Sequence, residues 1–135
     1  MPGQRSRAYK LQLSAEGVQL FLRCHCRLCR LVGDFLPYGT TLLVAVTAFD
    51  RVAIDDAVSL FLDPELVPMS GRIVRFVGTT PSMAATVDDI RKRIEGGAVH
   101  PSPQVWKIFV ASLAWMDDLA DREIAQLFEE IIHKS

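Results

Sequence analysis

The residues with the clearest chemical potential lie in one short segment, Cys24-His25-Cys26-Arg27-Leu28-Cys29. Thiolate sulfur and imidazole nitrogen are common zinc ligands, and the Cys26-x-x-Cys29 spacing occurs in zinc sites. On a helix, Cys29 shares a face with Cys26 and with His25, because residues three or four apart are neighbours there. Cys26, Cys29 and His25 are therefore the candidate metal ligands. Zinc takes four ligands, however, and the chain has no second Cys-x-x-Cys pair. We therefore expect no cofactor and free, largely buried thiols, with a zinc site or a reactive thiol as alternatives.

A set of polar side chains forms a second candidate site on the same predicted helix. Its members are Gln19, Arg23, Arg27 and Arg30, which fall within one narrow arc. Such a face can bind the phosphates of a nucleic acid. It can also pair with acidic residues of its own fold or of a second subunit, or remain solvated. No aromatic residue lies between the arginines to stack on a base, so nucleic-acid binding is the alternative rather than the first expectation.

Three aspartate pairs could in principle hold Mg²⁺ or act as acid and base. They are Asp55-Asp56, Asp88-Asp89 and Asp117-Asp118. Each lies at or near a predicted helix start, where acids complement the helix dipole, so we interpret all three as structural. The segment Gly78 to Ser82 follows a predicted strand but lacks the lysine of a phosphate-binding P-loop. No catalytic constellation emerges, and we expect no enzyme.

The first third of the chain gives clear local signals. Residues 1–7 are expected to be a flexible basic tail, and residues 8–135 a single globular domain. Ala8–Leu13 alternates as a strand does, and Ser14 is placed to cap a helix over Ala15–Val32 that Gly33 ends. Alternating apolar residues from Val18 to Cys26 leave a strand as the rival interpretation of that helix.

The middle of the chain gives weaker signals. Thr41–Phe49 is apolar and rich in β-branched residues, which favours a buried strand. Residues 57–62 indicate a short helix, Pro64–Gly71 a loop and Arg72–Val77 a strand. A helix over residues 86–95 is expected to begin at Thr86, with Asp89 completing its cap and Gly96-Gly97 ending it.

The segment Pro103 to Met116 dominates the last third. Its apolar residues, including Trp106 and Trp115, spread around most of a helix, with Pro103 at the first position. Such a helix must be covered nearly all round, either by this chain or by a second copy or partner. Residues 119–134 predict an amphipathic helix that packs antiparallel on it.

Together these patterns predict an α+β fold: a helix-rich small single domain with about three strands and a C-terminal antiparallel helix pair. The composition is that of a globular chain, and the longest uncharged run in its front half is too short to span a membrane. No leader segment is evident and the cysteine count is odd, which indicates a cytoplasmic, intracellular protein.

The function expected is non-enzymatic: protein–protein binding with self-association, of a regulator or inhibitor type. Compact, motif-poor chains of this kind are common among viral and mobile-element regulators, which is an association rather than a derivation. The expected binding surface comprises Gln19, Arg23, Arg27, Arg30, Trp106 and Trp115. A protein partner and a homo-oligomer are the first expectation. Nucleic-acid binding through the basic helix face, or zinc binding at residues 24–29, are the alternatives.

Overall fold

The computed structural model describes residues 7–96 and 104–134, which form six α-helices, one 3₁₀ helix and two strands. The fold is α+β, as predicted, but the described sheet has two strands rather than about three. In chain order the elements are β1 (Arg7–Leu13), α1 (Ala15–Val32), α2 (Tyr38–Asp50), α3 (Ile54–Phe61), the 3₁₀ helix (Pro64–Met69), β2 (Ile73–Thr79), α4 (Pro81–Gly96), α5 (Val105–Asp118) and α6 (Asp121–Lys134).

The two strands pair antiparallel along their whole length, from Arg7 opposite Thr79 to Leu13 opposite Ile73. Arg7 therefore belongs to β1 and not to the predicted tail, whose other residues lie outside the described part. Leu11 and Leu13 are buried on the inner face of the sheet, as their alternation predicts. On the opposite face Phe76 is paired with Lys10, and both side chains are exposed.

Helix α1 has the predicted bounds, because its signals are local. The Ser14 side chain accepts a hydrogen bond from the Gly17 amide, 3.1 Å away, and Gly33 ends the helix in the left-handed conformation at φ 81°. Gly17 also permits a close approach, since a Cβ there would lie 2.1 Å from the Met69 carbonyl oxygen of the 3₁₀ helix. The rival strand interpretation is therefore wrong.

Residues 41–49 belong to helix α2, so the predicted buried strand is wrong. Seven of its side chains, from Thr41 to Phe49, are buried on several sides. The helix lies among α1, α4, α5, α6 and β2. Since nearly every face is covered, the segment is apolar throughout and shows neither strand nor helix periodicity. Tertiary burial outweighs the few tenths of a kcal/mol by which β-branched residues disfavour a helix.

Helix α4 begins earlier than predicted, at Pro81 instead of Thr86. The Thr80 hydroxyl accepts a hydrogen bond from the Met83 amide at 3.4 Å and so caps the first turn. Thr86 lies inside the helix and donates its hydroxyl proton to the Ser82 carbonyl.

The predicted loop after Pro64 contains the 3₁₀ helix. Residues 97–103, with Gly97 and the predicted Pro103 helix start, lie outside the described residues.

Helix α5 is the centre of the fold. It is contacted by α1, α2, α3, α4, β1 and the 3₁₀ helix. Its buried side chains are Ile108, Phe109, Val110, Ala111, Ser112, Leu113 and Met116. The chain itself therefore supplies the cover that this apolar helix requires. Trp106 and Trp115 are half-buried at its two ends.

Helix α6 is amphipathic, as predicted, and Ile124 and Leu127 are buried on its inner face. Its main neighbours are α2 and α1 rather than α5, so the expected antiparallel pair with α5 is not its principal packing. The apolar stripe of α6 thus closes the core beside α1 and α2. No helix of the described part of the chain has the length and apolar character needed to cross a membrane.

The central position of α5 predicts unequal costs for two Phe→Ala substitutions. Phe109 is 0% exposed, and its ring meets that of Tyr9 edge-to-face at a centroid distance of 5.0 Å. Phe109→Ala should lower the free energy of unfolding by about 3–5 kcal/mol, because it leaves a cavity at the centre of the core. Phe35→Ala, at a side chain that is 97% exposed, should change it by less than about 0.5 kcal/mol. Urea unfolding of both variants measures the difference, and equal costs would contradict the central role of α5.

Candidate functional site

A polar cluster joins α1 to α2 at the segment that the sequence singled out. His25 and Cys29 are four positions apart on α1, so both lie on one helix face, and the Cys29 Sγ is 3.7 Å from the His25 Nε2. From α2, the hydroxyl oxygen of Thr41 lies 2.7 Å from the other ring nitrogen of His25, Nδ1. Thr41 is fully buried, whereas His25 and Cys29 are half-buried. The cluster is thus anchored in the core at Thr41 and reaches solvent at Cys29.

Aromatic rings hold the imidazole of His25 in place. Phe21 is stacked on it at a centroid distance of 6.1 Å, and Tyr38 is tilted against it at 4.6 Å. Burial lowers the pKa of His25 below its ordinary value of 6.5, so the ring is neutral at pH 7. A neutral imidazole that hydrogen-bonds through Nδ1–H keeps a lone pair on Nε2. In that tautomer the lone pair faces the Cys29 sulfur, which lies 3.7 Å away.

The other two cysteines differ sharply from Cys29. Cys24 is buried and donates its thiol proton to the Leu113 carbonyl oxygen at 3.4 Å, and burial raises its pKa to about 12. Cys26 is exposed. All three are free thiols, and no group of three or more His, Cys, Asp and Glu side chains in the described residues could hold a metal ion. Of the predicted ligand candidates, the structure brings His25 and Cys29 together and leaves Cys26 apart.

The predicted arginine face is partly engaged within the chain. Arg27 lies 2.6 Å from an Asp121 carboxylate oxygen. Its guanidinium also donates to the carbonyl oxygens of Met116, Asp117 and Leu119, which end α5. The Met116 carbonyl oxygen also accepts a hydrogen bond from the Leu119 amide, and a cation at the C-terminal end of a helix complements the helix dipole.

Arg23 pairs with the Asp117 carboxylate at 3.1 Å, while Gln19 and Arg30 are exposed. Two of the four predicted surface residues therefore already have partners at the corner between α5 and α6. The sequence allowed this arrangement, in which the arginines pair with acidic residues of the same chain. That the arginine face binds a partner or a nucleic acid remains a prediction.

Two of the three aspartate pairs lie elsewhere than predicted. Asp55-Asp56 is in the first turn of α3, as expected. Asp88-Asp89 lies in the middle of α4, where Asp88 pairs with Arg91 and Lys92. Asp117-Asp118 forms the last turn of α5 rather than the start of a helix. Ion pairs rather than free helix starts thus account for Asp88 and Asp117.

An apolar groove that the sequence did not reveal runs between α1 and the sheet. It has a volume of about 190 Å³ and is lined mainly by apolar side chains from β1, α1, α2 and β2. The lining residues are Leu11, Leu13, Val18, Phe21, Leu22, Tyr38, Arg75, Phe76 and Val77. Phe76 is 68% exposed and Tyr38 56% exposed, although both are aromatic. Tyr38 and Phe21 also contact the His25 ring, so the groove and the polar cluster share these two residues.

The Arg27 contacts predict a specific loss of stability. Arg27→Gln should lower the free energy of unfolding by about 1.5–3 kcal/mol, because charge-assisted hydrogen bonds to the end of α5 are lost. Arg30→Gln, on the same helix but exposed, should change it by less than about 0.5 kcal/mol. Denaturant titration of the Arg27→Gln and Arg30→Gln variants measures both free energies of unfolding. Similar values for both would show that Arg27 adds no more than a surface arginine.

The three thiols should react in a fixed order. Cys26 is exposed, Cys29 half-buried and Cys24 buried with a raised pKa, so an alkylating reagent should modify Cys26 first and Cys24 only after unfolding. Peptide mass spectrometry after timed alkylation of the native protein measures the order. Early modification of Cys24 would contradict its burial against α5.

Comparison with known proteins adds no identification to these observations. No protein-family model, curated protein or solved structure matches the chain. A function must therefore be inferred from the apolar groove, the polar cluster, and the contacts of Arg23 and Arg27 with residues between α5 and α6.

Proposed function

We propose that this chain is a non-enzymatic protein-binding module that self-associates through the apolar groove between α1 and the sheet. The observation that carries this proposal is the pair of exposed aromatic side chains, Phe76 and Tyr38, around that groove. Exposed aromatic residues at an apolar surface are typical of the residues that dominate protein interfaces.

The outer face of the sheet extends this surface. Val74 and Phe76 are both exposed there, beside Lys10 and Gln12 on β1. The arrangement gives an apolar centre with a polar border, since Arg75 also lines the groove. Interfaces commonly combine a buried apolar centre with a hydrated polar rim.

The magnitudes indicate how large the interface must be. Burying one aromatic side chain removes about 150–250 Å² from water. At about 25 cal/mol per Å², Phe76 and the exposed half of Tyr38 provide several kcal/mol. Association costs at least about 4 kcal/mol, so the groove alone gives weak binding. A stable interface needs about 800 Å² per partner, and the outer sheet face supplies the adjoining area.

Because other elements of the chain bury α5, the groove is a better candidate for partner binding than α5. Because the chain buries α5 itself, a partner is not needed to complete the fold, and the module can exist with its groove open. Such a module suits a regulator or inhibitor, including the viral and mobile-element kinds that the sequence suggested by association. Its three free thiols suit a reducing cytoplasm.

Light scattering of the purified chain over a range of concentrations, in low and high salt, tests the proposal. The wild type should form a dimer or larger species that persists in high salt, because the interface is apolar. Phe76→Ala should weaken this association at least tenfold, as expected of a central interface aromatic. Leu62→Ala is the matched control, since Leu62 is 59% exposed at the end of α3 and outside the groove.

Each outcome of this experiment is decisive for one part of the proposal. A wild-type monomer at every concentration would refute self-association. An equal effect of Leu62→Ala and Phe76→Ala would refute the groove as the interface. Circular dichroism of both variants confirms that the fold is kept.

A further inference from the structure

We propose that His25 and Cys29 are one half of a zinc site that a second copy of this chain completes with the same two residues. This inference rests on the proposed self-association and names the ion that bridges the two copies. It concerns the polar cluster beside the groove rather than the groove itself.

The distance between the two side chains fits a shared tetrahedral ion. Zinc bonds of about 2.3 Å to sulfur and 2.0–2.1 Å to nitrogen, at a tetrahedral angle, place the two ligand atoms about 3.6 Å apart. The observed separation of the Cys29 Sγ and the His25 Nε2 is 3.7 Å. Binding therefore requires little rearrangement: zinc takes the place of the Cys29 thiol proton, which is released to solvent.

The second nitrogen of His25 is already held as a metal-binding imidazole requires. Histidine ligands generally donate their other ring N–H to a fixed acceptor, which sets the tautomer and the orientation of the ring. Here the Thr41 hydroxyl lies 2.7 Å from Nδ1 and is itself fully buried. Phe21 and Tyr38 restrict the ring further. With the proton on Nδ1, the lone pair of Nε2 faces an incoming ion.

The identity of the partner follows from the number of ligands. A closed zinc site takes four ligands, and the described residues contain no group of three or more that could hold a metal. The described part of one chain supplies two ligands at this position, His25 and Cys29. Rotation by a two-fold axis through the ion supplies the same two from a second copy, giving a His₂Cys₂ set.

The position of the cluster allows this assembly. His25 and Cys29 are half-buried and reach the surface of α1, so a second copy can approach them. Tyr38 contacts the His25 ring and also lines the apolar groove. Metal binding and apolar contact therefore both involve Tyr38 and should reinforce each other.

Titration of the reduced full chain with zinc, and with cobalt as a coloured substitute, tests the inference. One metal ion should bind per two chains, and the dimer should dissociate at least tenfold less readily with zinc than with a chelator. Cobalt should show the intense near-ultraviolet absorption of a thiolate–metal bond. Cys29→Ser and His25→Gln should each abolish the strengthening of the dimer by zinc.

Two further variants separate this ligand set from other arrangements. Cys26→Ser is the matched control, because Cys26 is an exposed cysteine on the same helix and should be dispensable. Thr41→Val should weaken zinc binding by about 10–100-fold without removing a ligand. Unfolding midpoints of all variants without metal show whether any loss comes from a damaged fold.

The outcomes distinguish this inference from the proposed function. Failure to bind zinc, one ion per monomer, or loss of binding in Cys26→Ser would each overturn the shared site. Self-association measured in chelator, with and without Phe76→Ala, judges the groove independently of any metal. A chelator-treated dimer that zinc does not tighten would thus leave the proposed function standing and refute the zinc site.

Discussion

The need to cover α5 on every side determines how this chain is arranged. Helices α1, α2, α3 and α4, strand β1 and the 3₁₀ helix all contact that helix, and seven of its residues are buried. Helix α2 in turn lies among α5, α4, α6 and β2, so it too must be apolar nearly throughout. Arg27 completes the arrangement where α5 ends, because its guanidinium donates hydrogen bonds to the carbonyl oxygens of Met116 and Asp117. The residues of one chain therefore bury the core helix α5, and the apolar groove lies on the surface outside that core.

The sequence predicts those elements whose ends are marked by neighbouring residues. Ser14 and Gly33 define α1, and the alternation of polar and apolar residues defines β1. For residues 41–49 the sequence favours a strand where the structure has a helix, because full burial removes the periodicity that separates a helix from a strand. The sequence also predicts too late a start for α4, since the capping signal at Thr80 competes with a second one at Thr86. The class of the fold was predictable, but the number of strands was not.

In the candidate site too, contacts within one helix could be predicted from the sequence, whereas contacts between elements could not. The spacing of His25 and Cys29 suggested that they could share a face, because they are one helical turn apart. The role of Thr41 was not visible, since it depends on how α2 packs against α1. The groove draws residues from four elements, and the exposure of Phe76 contradicts what its residue type suggests. Binding surfaces assembled across elements leave no pattern along the chain.

The pairing of β1 with β2 has a consequence for the way the protein is made. Leu13 pairs with Ile73, and α1, α2, α3 and the 3₁₀ helix all lie between them. During synthesis β1 therefore emerges from the ribosome well before its only strand partner in the described part of the chain. Its backbone amides and apolar side chains must wait unpaired while the helices form, and long-range strand pairing of this kind is slow. Protection of this strand by a chaperone, or by the growing helices, would then govern how much of the newly made chain escapes aggregation.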